Sequence, residues 1–430
     1  MPTALFWMIV PAALARVVGT VDVIIGAVVS AVVVGAGCYV LAEAAAHSGQ
    51  PFGSYCARLL GRRGAILATI ALALSGLFFA ALEGSIIAFA LSTFVGGPIH
   101  LWYLVVVLVG APMVIGGVTT WLDKLNGVLL PLFVIGLVSA VVMAINAYGY
   151  SSGWLTQSGA AADLPGPGWM LVVSTNLALP TVLFAWEFAR SGRVEDARIN
   201  GLVTFGVPFW LVTFLVNALV GIFLVAVVPG LTEVSETALV PALLALMGGL
   251  GVAFIWVTQT RINTANYFVA SRNLQLALGD LTGLTLPTWV WVIIAGALTY
   301  LAMAANLLSY ILVALGIQGI FVCSLGAILV THLVRQRIRQ GAAAAAAVPN
   351  GIRSFEPVGL VPWALAVAVG VVMTVTHVNG AAIWTIPAVY AVSIVGYLCM
   401  TTFTERKEAS LSPIPESMAA DGLVDPQRQG

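Results

Sequence analysis

Charge is what this 430-residue chain has least of: Asp, Glu, Lys and Arg together make up 8% of it, where a soluble domain carries about a quarter. So few ionised groups cannot cover a water-facing surface, which excludes an ordinary soluble enzyme or binding module. The 17 basic and 17 acidic residues cancel to a formal net charge of zero, and without a basic excess there is no case for nucleic acid as a partner. Cysteine is scarce too. Cys38, Cys56, Cys323 and Cys399 are scattered with no CxxC or metal-ligand spacing, so neither a disulfide framework nor a bound metal or other cofactor is expected. His47, His100, His332 and His377 fall near helix ends or loops, and the sequence has no HExxH, GxSxG or P-loop. A catalytic cluster is missing, as is the repeated pore loop of a channel. The first sixteen residues have neither a basic stretch nor a small-residue cleavage site, so no signal peptide is read.

What is abundant is apolar sequence, 60% of residues with a mean hydropathy of +1.05. The runs are about 20 residues long, the length that crosses a bilayer as helix at 1.5 Å per residue, and they do not alternate as barrel strands do. The expected fold is therefore all-α, a polytopic membrane bundle. Hydropathy places twelve helices, at about 3–18, 21–46, 65–94, 100–120, 125–147, 168–189, 201–229, 246–272, 287–303, 306–334, 359–377 and 381–403. The first is short: it is read as a half-helix, or as one whose start lies upstream of Met1.

Basic residues set the orientation. Arg58, Arg62, Arg63, Lys124, Arg190, Arg193, Arg198, Arg272, Arg335, Arg337, Arg339, Arg353, Arg406, Lys407 and Arg428 all fall on one side of this layout, and Asp22, Asp163, Glu233 and Glu236 on the other. By the positive-inside rule both termini are cytoplasmic. Arg16 and Arg261 do not fit that partition. The alanine run at 342–347 reads as a flexible linker, and 404–430 as a disordered cytoplasmic tail.

Interrupted helices mark sites in such bundles, because unwound backbone exposes carbonyls and amides that lipid forbids. Two segments qualify: Ile9-Val10-Pro11-Ala12 in helix one and Leu177-Ala178-Leu179-Pro180-Thr181 in helix six, five helices apart. Frequent proline in membrane helices is the plainer reading of both.

Three stretches then follow one another in a meaningful order. Gly49-Gln50-Pro51-Phe52 with Ala57-Arg58 and Gly61-Arg62-Arg63-Gly64-Ala65, next Glu187-Phe188-Ala189-Arg190-Ser191-Gly192-Arg193, and last Thr264-Ala265-Asn266-Tyr267-Phe268-Val269-Ala270-Ser271 together resemble the nucleobase:cation symporter-1 family, most nearly its cytosine permease branch. The resemblance spans nearly the whole chain. It implies a transporter domain over 1–403, built as two inverted five-helix repeats at about 1–147 and 168–334 with two further helices at 359–403. It also implies a small planar heterocycle held between helices one, three, six and eight, carried by alternating access with cation coupling across the cell membrane.

The family stacks such a ring on an aromatic of helix three, often with another from helix six, and reads its polar edge with amides. Here helix three offers Phe78 or Phe79, each equally suited to core packing. Helix six has no aromatic near Leu177 or Ala178, but Ser174, Thr175 and Asn176 lie a turn away. Helix eight has Gln259, Asn263 and Asn266 on one helical face, each an amide with donor and acceptor; helix-to-helix hydrogen bonding would equally explain them. The family's sodium-binding hydroxyls fall near Thr260 and Arg261. Arg261 reads either as a permanent cation replacing sodium or as a side chain snorkelling to the cytoplasmic face. Glu83, in the middle of helix three, is an ionisable group at an expensive depth; it is a candidate acceptor for the coupling proton or a partner of Arg16 or Arg261 in an ion pair. The expected activity is thus permease rather than enzyme, for cytosine, another pyrimidine, a purine or a related compound. A degenerate member that binds without transporting, or a permease for a different small metabolite, remains open on the sequence.

Overall fold

A computed structural model describes residues 3–115, 118–161, 164–229, 239–306, 311–340 and 353–411, with backbone only at 118–126, 311–314, 340 and 408–411. Asp163, Glu233, Glu236, the linker 342–347, Arg428 and most of the tail lie outside the described residues. The described chain is a helix bundle with no β-strand, only an isolated bridge between Gly19 and Ser158. In order it forms α1 (Phe6–Val18), α2 (Thr20–Ser48), α3 (Phe52–Val95), α4 (Ile99–Ile115), α5 (Val118–Tyr148), α6 (Gly168–Leu177) and α7 (Thr181–Ala189). It continues with the interrupted α8 (Val194–Val227), then α9 (Leu239–Met247), α10 (Gly249–Thr282), α11 (Thr288–Ala304), α12 (Ile311–Gln340), α13 (Pro357–Val375) and α14 (Ala381–Leu411). Among the described residues eight spans are long and apolar enough to cross a membrane, and α1, α4 and α11 are shorter apolar helices. With α10, longer but more polar, they occupy the twelve expected places. This is a multi-pass membrane protein.

Four departures from expectation show the local detail that hydropathy does not carry. Pro11 does not break the first helix: α1 runs through it, and Gly221 of α8 packs directly against its Met8 backbone, where a Cβ would lie 2.2 Å from the Met8 carbonyl oxygen. The unwound position is instead ahead of Phe6. Second, α3 begins thirteen residues earlier than hydropathy suggests, with Phe52–Leu60 joined to the spanning part through Gly61 at φ +78°. A short backbone clasp holds that kink: Arg62 N and Arg63 N donate to the Arg353 and Ser354 carbonyls at 2.9 Å, and Glu356 N donates to Leu60 O at 3.1 Å. Third, α10 continues to Thr282, so Arg272 is not at its end. Fourth, α14 continues to Leu411, because Glu405 accepts from both Arg335 and Arg339 of α12.

The helix-six break falls where expected. α6 stops at Leu177 and α7 resumes at Thr181, after Pro180.

The packing that builds the centre comes from small residues. Gly76, Ala80 and Gly84 recur every fourth position along α3, and a Cβ at Gly76 would lie 2.7 Å from Ala270 N of α10. Close backbone approach of this kind is how helices associate in lipid, where burial of apolar surface gives no net drive. At the arginine-rich end, the loop 49–52 and the end of α7 lock together. Glu187 Oε1 accepts from Phe52 N at 3.0 Å while its Oε2 pairs with Arg190 at 3.0 Å, and Trp186 Nε1 donates to the Gln50 carbonyl at 2.9 Å. Two stretches far apart in sequence are thus halves of one joint, in which a carboxylate satisfies an amide at the start of α3.

Candidate functional site

Halfway along the bundle the N-terminus of α1, the middle of α3, the α6–α7 break and α10 converge on a cavity of about 30 Å³. That is room for about two waters, so a heterocycle enters only when these walls separate. Its walls are aromatic and polar in distinct places. Phe79 of α3 meets Phe6 of α1 edge-on at 5.9 Å and Phe184 of α7 at 6.3 Å, and Trp7 lies beside Phe6 at 5.1 Å. Glu83 and Asn266 complete the wall opposite the Pro180–Thr181 break.

The polar groups are deeply buried. Glu83 is 1% exposed, its carboxyl lies beside the Gln259 amide, and neither Glu83 Oε2 nor Gln259 Nε2 completes a hydrogen bond among the described residues. Gln259 Oε1 does accept one, from Leu5 N at 3.3 Å, so this side chain caps the start of α1. Asn266 Nδ2 and Thr181 Oγ1 are also unsatisfied and line the cavity. In a protein interior such groups are normally paired; here three of them line one space, with the fourth, on Gln259, behind Glu83. Two helix N-termini, those of α1 and α7, point into it, and their partial positive charge favours a carboxylate or an acceptor-rich ligand edge there.

The structure sorts the sequence candidates. Phe79, Glu83 and Asn266 line the cavity, and Gln259 touches Glu83 behind it. Phe78 does not: it points away, into an apolar groove with Leu74 and Trp363. Asn263 is 1% exposed with both amide atoms unsatisfied, beside Gly84 rather than in the cavity wall. Asn176 donates to Ser30 Oγ of α2 at 3.1 Å and Thr175 bonds its own helix at Leu171 O, so these two hold helices rather than face the cavity. Thr260 is buried outside the wall, its carbonyl accepting from Thr264. Arg261 lies well inside α10 and donates to Thr3 Oγ1 at 3.1 Å, so it stays in the bundle and does not snorkel out. None of the ion pairs among the described residues includes Glu83. Phe6, Trp7, Thr181 and Phe184 were not anticipated. Phe184 is an aromatic of helix six that lines the cavity one turn beyond the break, and Pro180 was the signal that could have located it.

No protein-family model matches the sequence, and no curated protein matches it either. Solved structures do match in fold. Mhp1, a nucleobase-cation-symport-1 family transporter in a closed conformation with bromovinylhydantoin bound, superposes with a TM-score of 0.71 at 14% identity, over 94% of this chain and 92% of that one. The inward-facing conformation of Mhp1 gives 0.63 at 15% identity, over 96% and 95%. A Na⁺-coupled sialic acid symporter in a substrate-bound outward-open state gives 0.56 at 11% identity, over 92% and 89%. The chain has the fold of the nucleobase-cation-symport-1 transporter Mhp1.

Proposed function

We propose that the chain is a nucleobase:cation symporter-1 family member, a secondary active transporter of the cell membrane with both termini cytoplasmic, which moves a small planar heterocycle by alternating access. In this reading the two five-helix repeats span about 1–147 and 168–334, and α13 and α14 are additions to them. The observation that carries it is the composition of the central cavity: rings from Phe79 and Phe184, an unsatisfied amide nitrogen at Asn266 and the buried carboxyl of Glu83, lining one space with the helix break at Pro180–Thr181. Rings stack a planar ligand and Asn266 reads its polar edge with one donor and one acceptor. Separation of the walls toward one membrane face and then the other admits and releases it.

Coupling is assigned to a proton. Arg261 brings a permanent positive charge to the part of α10 where related transporters offer hydroxyls to sodium, and two unit charges 4 Å apart repel by about 4 kcal/mol even at an effective dielectric near 20. Glu83 takes up the proton and gives it back. In proteoliposomes, uptake is expected to be equal in sodium and choline buffers and to rise with an inward proton gradient. A sodium-dependent initial rate would overturn the coupling assignment. Competition by cytosine, other pyrimidines, purines, hydantoins and hydroxymethylpyrimidine identifies the substrate; binding without uptake of any of them would instead favour a sensor.

A further inference from the structure

Five arginines at the end of the bundle where α2 stops and α3 starts are matched by acid. Arg190 pairs with Glu187, Arg193 with Glu195, Arg335 and Arg339 with Glu405, and Arg337 with Glu43. Arg62, Arg63, Arg198, Arg272, Arg353 and Arg406 take part in no ion pair among the described residues, and of these the backbone clasp at Gly61 brings Arg62, Arg63 and Arg353 side by side. All three are exposed. Asp280 and Glu356 are near but bond to none of them, so the cluster keeps a positive excess.

Arg62 and Arg63 line a cleft of about 950 Å³ together with Asp280, Ser54 and Thr69, and its apolar part is formed by Leu67 and Ile70 of α3 with Leu276 and Leu281 of α10. Leu67 and Ile70 also border a second groove, of about 870 Å³, which runs along α3 past Leu74 to Phe78 between α12 and α13 and is walled by Phe321 and Trp363. The two share a side of α3, so one path leads from the two arginines to apolar troughs on either side of that helix. Basic residues at the edge of a bilayer attract anionic lipid headgroups, and the troughs below lie where acyl chains are the solvent.

We propose that this face is a binding site for an anionic phospholipid. Its phosphate sits between Arg62 and Arg63 with Arg353 alongside, and its acyl chains lie in the two grooves that straddle Leu67 and Ile70. Arginine suits the role because its planar fork bonds phosphate oxygens in pairs. The inner groove ends at Phe78, whose ring meets the cavity residue Phe79 edge-on at 5.3 Å, so an acyl chain there touches the back of the substrate site.

Native mass spectrometry of the purified, delipidated full chain titrated with phosphatidylglycerol, phosphatidylcholine or inorganic phosphate tests this. Retained phosphatidylglycerol adducts at least tenfold more abundant than phosphatidylcholine adducts are expected, with no competition from inorganic phosphate, and the preference should vanish in Arg62→Gln/Arg63→Gln. Arg62→Lys/Arg63→Lys should keep much of it, which separates lost charge from lost folding. Leu74→Trp, filling the apolar groove, should weaken adducts of both lipids while leaving the headgroup preference intact. Equal retention of the two lipids, displacement by inorganic phosphate, or full preference in the double Gln variant would each overturn the proposal. So would a dimer that Leu74→Trp abolishes, since a second copy of the chain would then occupy the groove.

Discussion

Two sets of buried or half-buried carboxylates in this molecule differ in what surrounds them. At the arginine-rich end Glu187 and Glu43 each meet a guanidinium, at 3.0 and 2.5 Å, and Glu187 also accepts from the backbone of α3. At the centre Glu83 is as buried as Glu187 yet has an amide for a neighbour and no ion pair among the described residues. A buried carboxylate in an ion pair is explained by the joint it closes; one beside an amide is compensated less fully. The difference separates residues that hold the bundle from one that its stability does not require.

That contrast is broken most sharply at Glu83. Glu83→Gln should eliminate the response of uptake to an inward proton gradient while leaving thermal unfolding unchanged or raised, because it removes a buried charge that no ion pair among the described residues holds. A fall in melting temperature with the gradient response intact would place Glu83 with the structural set. The converse change, Glu187→Ala, strands Arg190 and an amide of α3. It should cost about 3 to 5 kcal/mol, as expected when one member of a buried pair is removed, measured by denaturation in detergent. Asn266→Ala should weaken substrate binding by about 1 to 3 kcal/mol, roughly five- to 150-fold, with membrane insertion preserved; unchanged affinity of the purified variant would remove it from the site. Phe79→Ala should lower affinity by a further-reduced margin of about 0.5 to 1.5 kcal/mol beyond lost area, and Phe78→Ala should leave affinity nearly unchanged. Equal small losses in both would mean that neither ring faces the ligand. Smallest of all, Glu405→Gln should change stability by about 1 kcal/mol or less, since its ion pairs are exposed to solvent.

The helical plan was legible because lipid imposes it: length and hydropathy dictate spans, and proline before Thr181 marks the break in helix six. The centre was only partly legible. The three-residue step between Asn263 and Asn266 says that they share a side of α10, but not that one reaches the cavity while the other turns toward Gly84, since sixty degrees of rotation decides that. Asn176 and Thr175 looked available because a polar side chain near a helix break has no visible partner in sequence; Ser30, 146 positions away, is that partner for Asn176. Pro11 misled for a related reason. A proline removes one amide, and that loss alone does not decide whether the helix breaks; α1 continues through it. Phe6, Trp7 and Phe184 escaped notice because aromatic residues in apolar runs carry no mark of their neighbours.

The clasp at Gly61 bears on how the last two helices should be regarded. Three main-chain bonds tie the entry to α13 onto the bend of α3, and Gly359 lies so close to Leu59 that a Cβ there would approach its carbonyl oxygen to 2.2 Å. A chain cut after α12 would leave those amides and that carbonyl unanswered at the rim of the bilayer and open a trench along α3. The terminal pair is therefore a buttress for the helix that holds Phe79 and Glu83, and a shortened protein should lose the alignment of its centre before it loses its ability to insert.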